Sequence, residues 1–173
     1  MRNLMKLLAV VLITVSAATV NAQTLKFGHV DLQALVQLMP ERATAEQEFN
    51  AFQADLEEIL GEMQNDYQAK LAEFEKMGQE VSEIKRNAKV AEIQDIQQRI
   101  QNYQITAQQQ INQKQNELLM PVFEKAENAI AEVAKEKGLI YVFDSGQSNR
   151  TILYKSNQSL DVLPLVKAKL GIE

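Results

Sequence analysis

Apolar residues recur at three- and four-residue steps through Phe49, Phe52, Leu56, Ile59 and Met63, and then by fours through Tyr67 to Leu71 before Phe74. One helix face is written this way. A second series, Ile93, Ile96, Ile100, Tyr103, Ala107, Ile111 and Leu118, has the same spacing. Together they predict a helical stretch from Glu41 to Met120 that folds back once. The extra four-residue step resembles a stutter, which unwinds a left-handed supercoil and predicts two nearly straight helices. Gly61 and Gly78 compete for the turn. A turn across Met77 to Ser82 gives limbs over 41–77 and 83–120 of nearly equal length, each about 56 Å at 1.5 Å per residue. A turn at Gly61 leaves half of one limb without a partner, so Gly78 marks the tip and Gly61 is a mid-helix glycine. Ser82 and Glu83 suit the start of the second limb.

Shorter elements flank this hairpin. Leu25 to Val30 alternates at period two, as a half-buried strand does. Asp31 is suited to cap a helix over Leu32 to Leu38, and Pro40 forces Met39 out of helical geometry. Pro121 lacks the N–H that would bond to the carbonyl of Glu117, so the helix is expected to kink or restart there. Val122 to Lys137 is again amphipathic and ends at Gly138. Leu139 to Phe143 predicts a strand apolar on both faces. Ser145 to Arg150 reads as a turn, Thr151 to Tyr154 as a returning hairpin strand, and Leu160 to Leu170 as a last helix.

The reading that results is an α+β fold, mostly α: a long antiparallel helical hairpin arm projecting from a small β-rich oligomerisation body. Residues 23–40 and 121–173 form the body, the latter supplying a helix, two strands and the C-terminal helix, and 41–120 form the arm with its tip near 77–82. Three short strands make a meagre sheet whose edges invite a partner. A self-associated body with several arms side by side follows, its face drawn from Phe27, Val30, Ile140, Val142 and Ile152.

Residues 1–22 read as a cleaved signal peptide: Arg2 and Lys6, an apolar run from Leu7 to Val15 interrupted only by Thr14, then Val20-Asn21-Ala22. That run is too short for a membrane anchor. The chain has no cysteine, which excludes disulfides and thiolate metal sites. Its formal charge of −5 becomes −7 without Arg2 and Lys6. Residues 41–77 hold ten acids and three bases, a net of −7, so the acidity is all in the first limb. A chain so charged is a poor ligand for nucleic acid or for an anionic membrane.

No catalytic constellation emerges. His29 is the lone histidine and cannot build a multi-histidine site. Asp31 is a helix cap. Asp144-Ser145-Gly146 lacks the strand-to-helix setting of a nucleophile elbow and reads as a hairpin turn. No phosphate-binding glycine loop or calcium loop is present, and no cofactor is expected. Ten of the residues from Gln94 to Gln115 are glutamine, a solvated helix face interleaved with isoleucine. From Ile100 to Gln113 the chain carries no formal charge. Phe49, Phe52, Met63, Tyr67, Phe74 and Met77 put aromatic and thioether groups along the arm. Most belong to the seam between the limbs, and those outside it would give the adaptable contacts of a promiscuous binder. A secreted arm without chemistry points to holding another macromolecule.

Phe27-Gly28-His29-Val30-Asp31-Leu32-Gln33 with Pro40-Glu41, the Gln-rich hairpin, Leu119-Met120-Pro121-Val122, Lys135 to Asp144 and Leu160-Asp161-Val162-Leu163-Pro164-Leu165-Val166 resemble the Skp/OmpH family of periplasmic chaperones. The motifs are weak singly, and more specific in their order across the mature chain. The resemblance implies a homotrimer whose arms enclose a cavity for unfolded outer-membrane proteins, working without ATP as a holdase before membrane insertion. The best-known members are basic. This chain is acidic, so a lipopolysaccharide site is not carried over and client capture is expected to lean on dispersed apolar contact. The competing reading is a structural or adaptor coiled-coil protein of the envelope that binds one folded partner.

Overall fold

The computed structural model describes residues 25–78, 80–146 and 152–172. Strand β1 (Phe27–Val30) leads through Asp31 into α1 (Leu32–Leu38). Asp31 Oδ1 accepts the amide of Ala34 at 2.9 Å and so satisfies one of the helix's orphan donors. Met39 is extended, as a residue before proline must be, and Pro40 opens α2 (Pro40–Glu75). The chain turns over residues 76–82 and returns as α3 (Glu83–Lys137). Strand β2 (Tyr141–Asp144), strand β3 (Leu160–Asp161) and α4 (Leu163–Leu170) complete it. The fold is α+β and mostly helical, with a long antiparallel hairpin and a small three-stranded sheet.

Helix α3 runs through Pro121 without a break, against the expectation of a restart. An interior proline costs about 3 kcal/mol. The turns beyond it bury Val122, Ala126, Ala129 and Val133, and their apolar burial offsets that cost. At the far end Gly138 takes φ 65°, the left-handed conformation that glycine adopts without strain. The amide of Leu139 then closes on the Ala134 carbonyl at 2.9 Å.

The sheet departs from the sequence expectation in pairing. Its order is β2-β1-β3 and both pairings are parallel, with Phe27 opposite Tyr141 and Gly28 opposite Leu160. The expected hairpin from Leu139 to Tyr154 does not form. Ile152 to Tyr154 is irregular, Leu153 is 94% exposed, and Thr151 and the loop before it lie outside the described residues. The third strand is instead Leu160–Asp161, read from the sequence as the start of the last helix. Asp161 Oδ1 accepts the amide of Leu163, and the helix begins there, three residues later than expected. Alternation shows that a segment is pleated but not which neighbour it pairs with.

Asp144-Ser145-Gly146 is likewise no hairpin turn. Asp144 Oδ1 accepts the amides of Leu32 and Gly146 at 3.2 and 3.0 Å, and the Ser145 amide donates to the Val30 carbonyl at 2.7 Å. These bonds tie the end of β2 to the start of α1. Helices α1, α3 and α4 cover one face of the sheet, around Val30, Leu35, Val36, Met39, Val162 and Val166. A Cβ at Gly28 would lie 2.7 Å from Leu139 Cδ1 and 3.2 Å from Val162 Cγ1. Any side chain there makes Leu139 swing aside and crowds Val162.

Replacing Gly28 with valine overfills this layer, and urea unfolding should show a loss of about 1–3 kcal/mol. Gly61, in contrast, has no atom within 4 Å of the space its Cβ would occupy. Gly61→Ala should therefore raise arm stability by about 1 kcal/mol in helical circular dichroism melts.

Candidate functional site

The arm is held by a narrow seam. Ala45 and Leu56 of α2 and Ile93 and Ile96 of α3 are its buried residues. The Tyr103 hydroxyl reaches across to donate to the Leu56 carbonyl at 3.3 Å. Phe49, Phe52, Met63, Tyr67, Phe74 and Met77 are all half-buried along this line. Phe49 lines a cavity of about 210 Å³ at the hairpin root with Ala45, Leu118 and Leu119. Tyr67 lies in an open groove of about 510 Å³ farther out, among Gln64, Gln68, Gln97 and Ile100. Phe74 is covered by the Arg86 guanidinium, 5.7 Å from the ring centre.

The apolar groups that the arm fully presents are different ones: Ile59, Ile84, Ile105 and Met120. Ile59 was read as a seam residue, yet it lies 43% exposed. The other three were not singled out. Ile105 falls midway between Tyr103 and Ala107 and so breaks the series that defines the seam. That break was the available signal.

Near the tip the seam becomes electrostatic. Lys89 Nζ contacts Glu73 at 2.9 Å and Glu92 at 2.8 Å, and Lys70 Nζ contacts Glu92 at 3.0 Å. The Lys89 hydrogen bond, with Lys70 beside it, holds the Glu73 and Glu92 carboxyls below their ordinary values. The same carboxylates raise both lysines, chiefly through hydrogen bonds to Glu92. Arg86 also donates to the Gly78 carbonyl at 3.2 Å, which fastens the turn. At the root, Lys125 of α3 pairs with Glu41 of α2. In the body, Lys169 of α4 bridges Glu132 and Glu136 of α3 at 2.9 and 2.6 Å.

The second surface is the sheet face away from the helices. Strand alternation sends Val30 and Val142 into the subunit's own core and Phe27, His29, Tyr141 and Phe143 outward. Val30 is 3% exposed, so of the residues expected on an oligomerisation face it is not free to contact a second copy. Phe27, Phe143 and Tyr141 stack in a row in that order, with ring centres 6.2 and 5.8 Å apart. Tyr141 and Phe143 went unremarked because a strand apolar on both sides gives no clue to which side stays open. Ile140 is exposed toward the helices, where it lines a cavity with Ala134, Leu139 and Val142, whereas Ile152 lines a cavity of about 390 Å³ beside Phe27, Phe143 and Tyr154. His29 is buried at its floor, hydrogen-bonded through Nδ1 to Ser159 Oγ at 2.9 Å. Among the described residues, no three His, Asp or Glu side chains gather to hold a metal ion.

Comparison with known families adds a match that spans both the hairpin and the body. Residues 26–170 match the family described as outer membrane protein (OmpH-like). The chain belongs to the OmpH-like family. At family level this is a group of periplasmic chaperones in outer-membrane protein biogenesis. No curated protein matches the chain. No helix among the described residues of this OmpH-like chain is long and apolar enough to cross a membrane. The predicted signal peptide lies outside the described residues.

The tip pairs give the arm a pH response of known sign. Carboxyls lowered by folding contribute stability that is whole above their ordinary range and is lost as pH falls through the lowered values. Lysines raised by folding lose theirs only as pH climbs through the raised values. Amide exchange across 70–92, corrected for intrinsic rates, should therefore quicken on acidification below the ordinary carboxylate range. Exchange around Leu56, away from the ion pairs at either end of the arm, should change less, and Glu92→Gln should flatten the tip response.

Proposed function

We propose that this protein is an ATP-independent periplasmic holdase. After removal of residues 1–22 it assembles as a homotrimer through its body. The arms then enclose unfolded outer-membrane proteins and keep them from aggregating before insertion. The arm carries this reading. It is a hairpin of 36 residues in its first limb, yet among the described residues its seam buries four side chains. So thin a rod adds little to the subunit's stability for its length. Its value lies in the surface it offers.

That surface supports transient contact. Exposed Ile59, Ile84, Ile105 and Met120 are spaced along the rod, and the half-buried aromatic and methionine side chains lie between them. Scattered apolar groups give many weak contacts and no single deep pocket, which suits clients without fixed structure. The outward Phe27, Tyr141 and Phe143 support self-association, since three stacked aromatic rings at an open sheet face lose more by staying in water than by packing.

Light scattering of the mature protein in solution tests both halves of the proposal. The expected mass is that of a trimer, with one client chain added when a urea-unfolded β-barrel protein is diluted into it. Client aggregation should fall as trimer reaches equimolar ratio. A stable monomer, or a client that aggregates undiminished in excess protein, overturns the reading.

A further inference from the structure

The open groove in the middle of the arm has an unusual lining. Gln64, Asn65 and Gln68 of α2 face Gln97 and Gln101 of α3, around Tyr67 and Ile100. Gln64 and Gln68 are one helical turn apart, as are Gln97 and Gln101, so each pair shares a face. The lining therefore consists of five side-chain amides, one aromatic ring and one aliphatic group, with no formal charge. This is notable on α2, where seven acids and no base occur between Glu46 and Asp66.

None of the five amides is hydrogen-bonded through its side chain to any described residue. All five are exposed, and although Gln64/Gln68 and Gln97/Gln101 have the same spacing as Gln98 and Asn102, which bond at 3.1 Å just outside the groove, they leave their amides open. An amide side chain presents one carbonyl and two N–H donors, the functional group of the peptide backbone itself. Unfolded chains carry backbone donors and acceptors with no intramolecular partner, and these are obligatory hydrogen-bonding groups. Tyr67 and Ile100 are half-buried and offer an apolar floor between the two rows.

We infer that this groove is a docking site for an extended, uncharged segment of an unfolded polypeptide. The client backbone exchanges hydrogen bonds with the glutamine and asparagine amides, and one large apolar side chain rests on Tyr67 and Ile100. Complementarity of charge argues for this occupant over others. A lining without charge, flanked on α2 by Glu62 and Asp66, disfavours acidic segments and gives a cationic one no paired partner inside. Backbone recognition is indifferent to sequence, which a protein serving many clients requires. The inference rests on the holdase reading and adds the place and chemistry of contact.

The test measures binding of a fluorescent, urea-unfolded β-barrel protein to the full mature protein. Three forms are compared: the unaltered chain, Gln64→Glu with Gln101→Glu, and Gln109→Glu with Gln113→Glu. The glutamate pairs add equal charge to exposed helix positions and should leave helicity unchanged. Losing the amide pairs should weaken the groove variant about fivefold, while the variant altered elsewhere on α3 stays within about twofold. A photoreactive side chain at Gln101 should also crosslink to the client, and one at Glu57 should not. Equal weakening in both variants, or none in either, overturns the groove. A client that does not bind the unaltered chain removes the holdase reading itself, which is a separate and recognisable result.

Discussion

Everything in this subunit depends on α3 remaining one helix through Pro121. Its last turns, Val122, Ala126, Ala129 and Val133, are the middle of the body's core, and its earlier turns are the return limb of the arm. A single helix of 55 residues, about 82 Å at 1.5 Å per residue, therefore spans both parts. The arm is not a flexible appendage joined by a linker, since its direction is set by how α3 packs under β1 and against α1 and α4. Ion pairs from Lys125 to Glu41 and from Lys169 to Glu132 and Glu136 reinforce this seating at the surface.

Along the arm the source of cohesion changes. Apolar packing holds the proximal two thirds at Ala45, Leu56, Ile93 and Ile96. Charge holds the end, where Lys70, Glu73, Lys89 and Glu92 form a closed set of four. Exposed ion pairs are weak and screened by salt. The rod is thus firmest near the body and loosest near the tip. Its two limbs also differ in chemistry, because α2 carries the net charge while α3 from Ile100 to Gln113 carries none. An arm built this way offers a neutral wall and a charged back, and the charge keeps a protein with exposed apolar groups soluble.

Much of this was legible beforehand because it rests on local rules. Period 3.6 gave the two limbs, Asp31 and Pro40 the entry, Gly138 the exit, and matched limb lengths chose Gly78 over Gly61 for the tip. The restart that Pro121 offers does not occur, for a reason that is itself physical. A proline's local cost is visible in sequence, whereas the burial that outweighs it is a property of distant partners. The exposed arm residues differ in this respect: Ile105 and Ile84 are as apolar as Ile93 and Ile96, and only their angular position, which the spacing carries, separates them.

By itself, the order of residues determined where α1 and α2 begin and where α3 begins and ends, that the arm doubles back, and that the net charge falls on its first limb. These follow from side chains acting on their own backbone or on neighbours three and four places away. Only the tertiary structure decided that the sheet is parallel, that Leu160–Asp161 and not Thr151 to Tyr154 is its third strand, and that Phe27, Tyr141 and Phe143 share the open face. Strand partners are chosen by contacts between segments more than a hundred residues apart, which leave no period in the chain. The groove of unpaired amides belongs to the same class, since Gln64 and Gln101 become neighbours only when the hairpin closes.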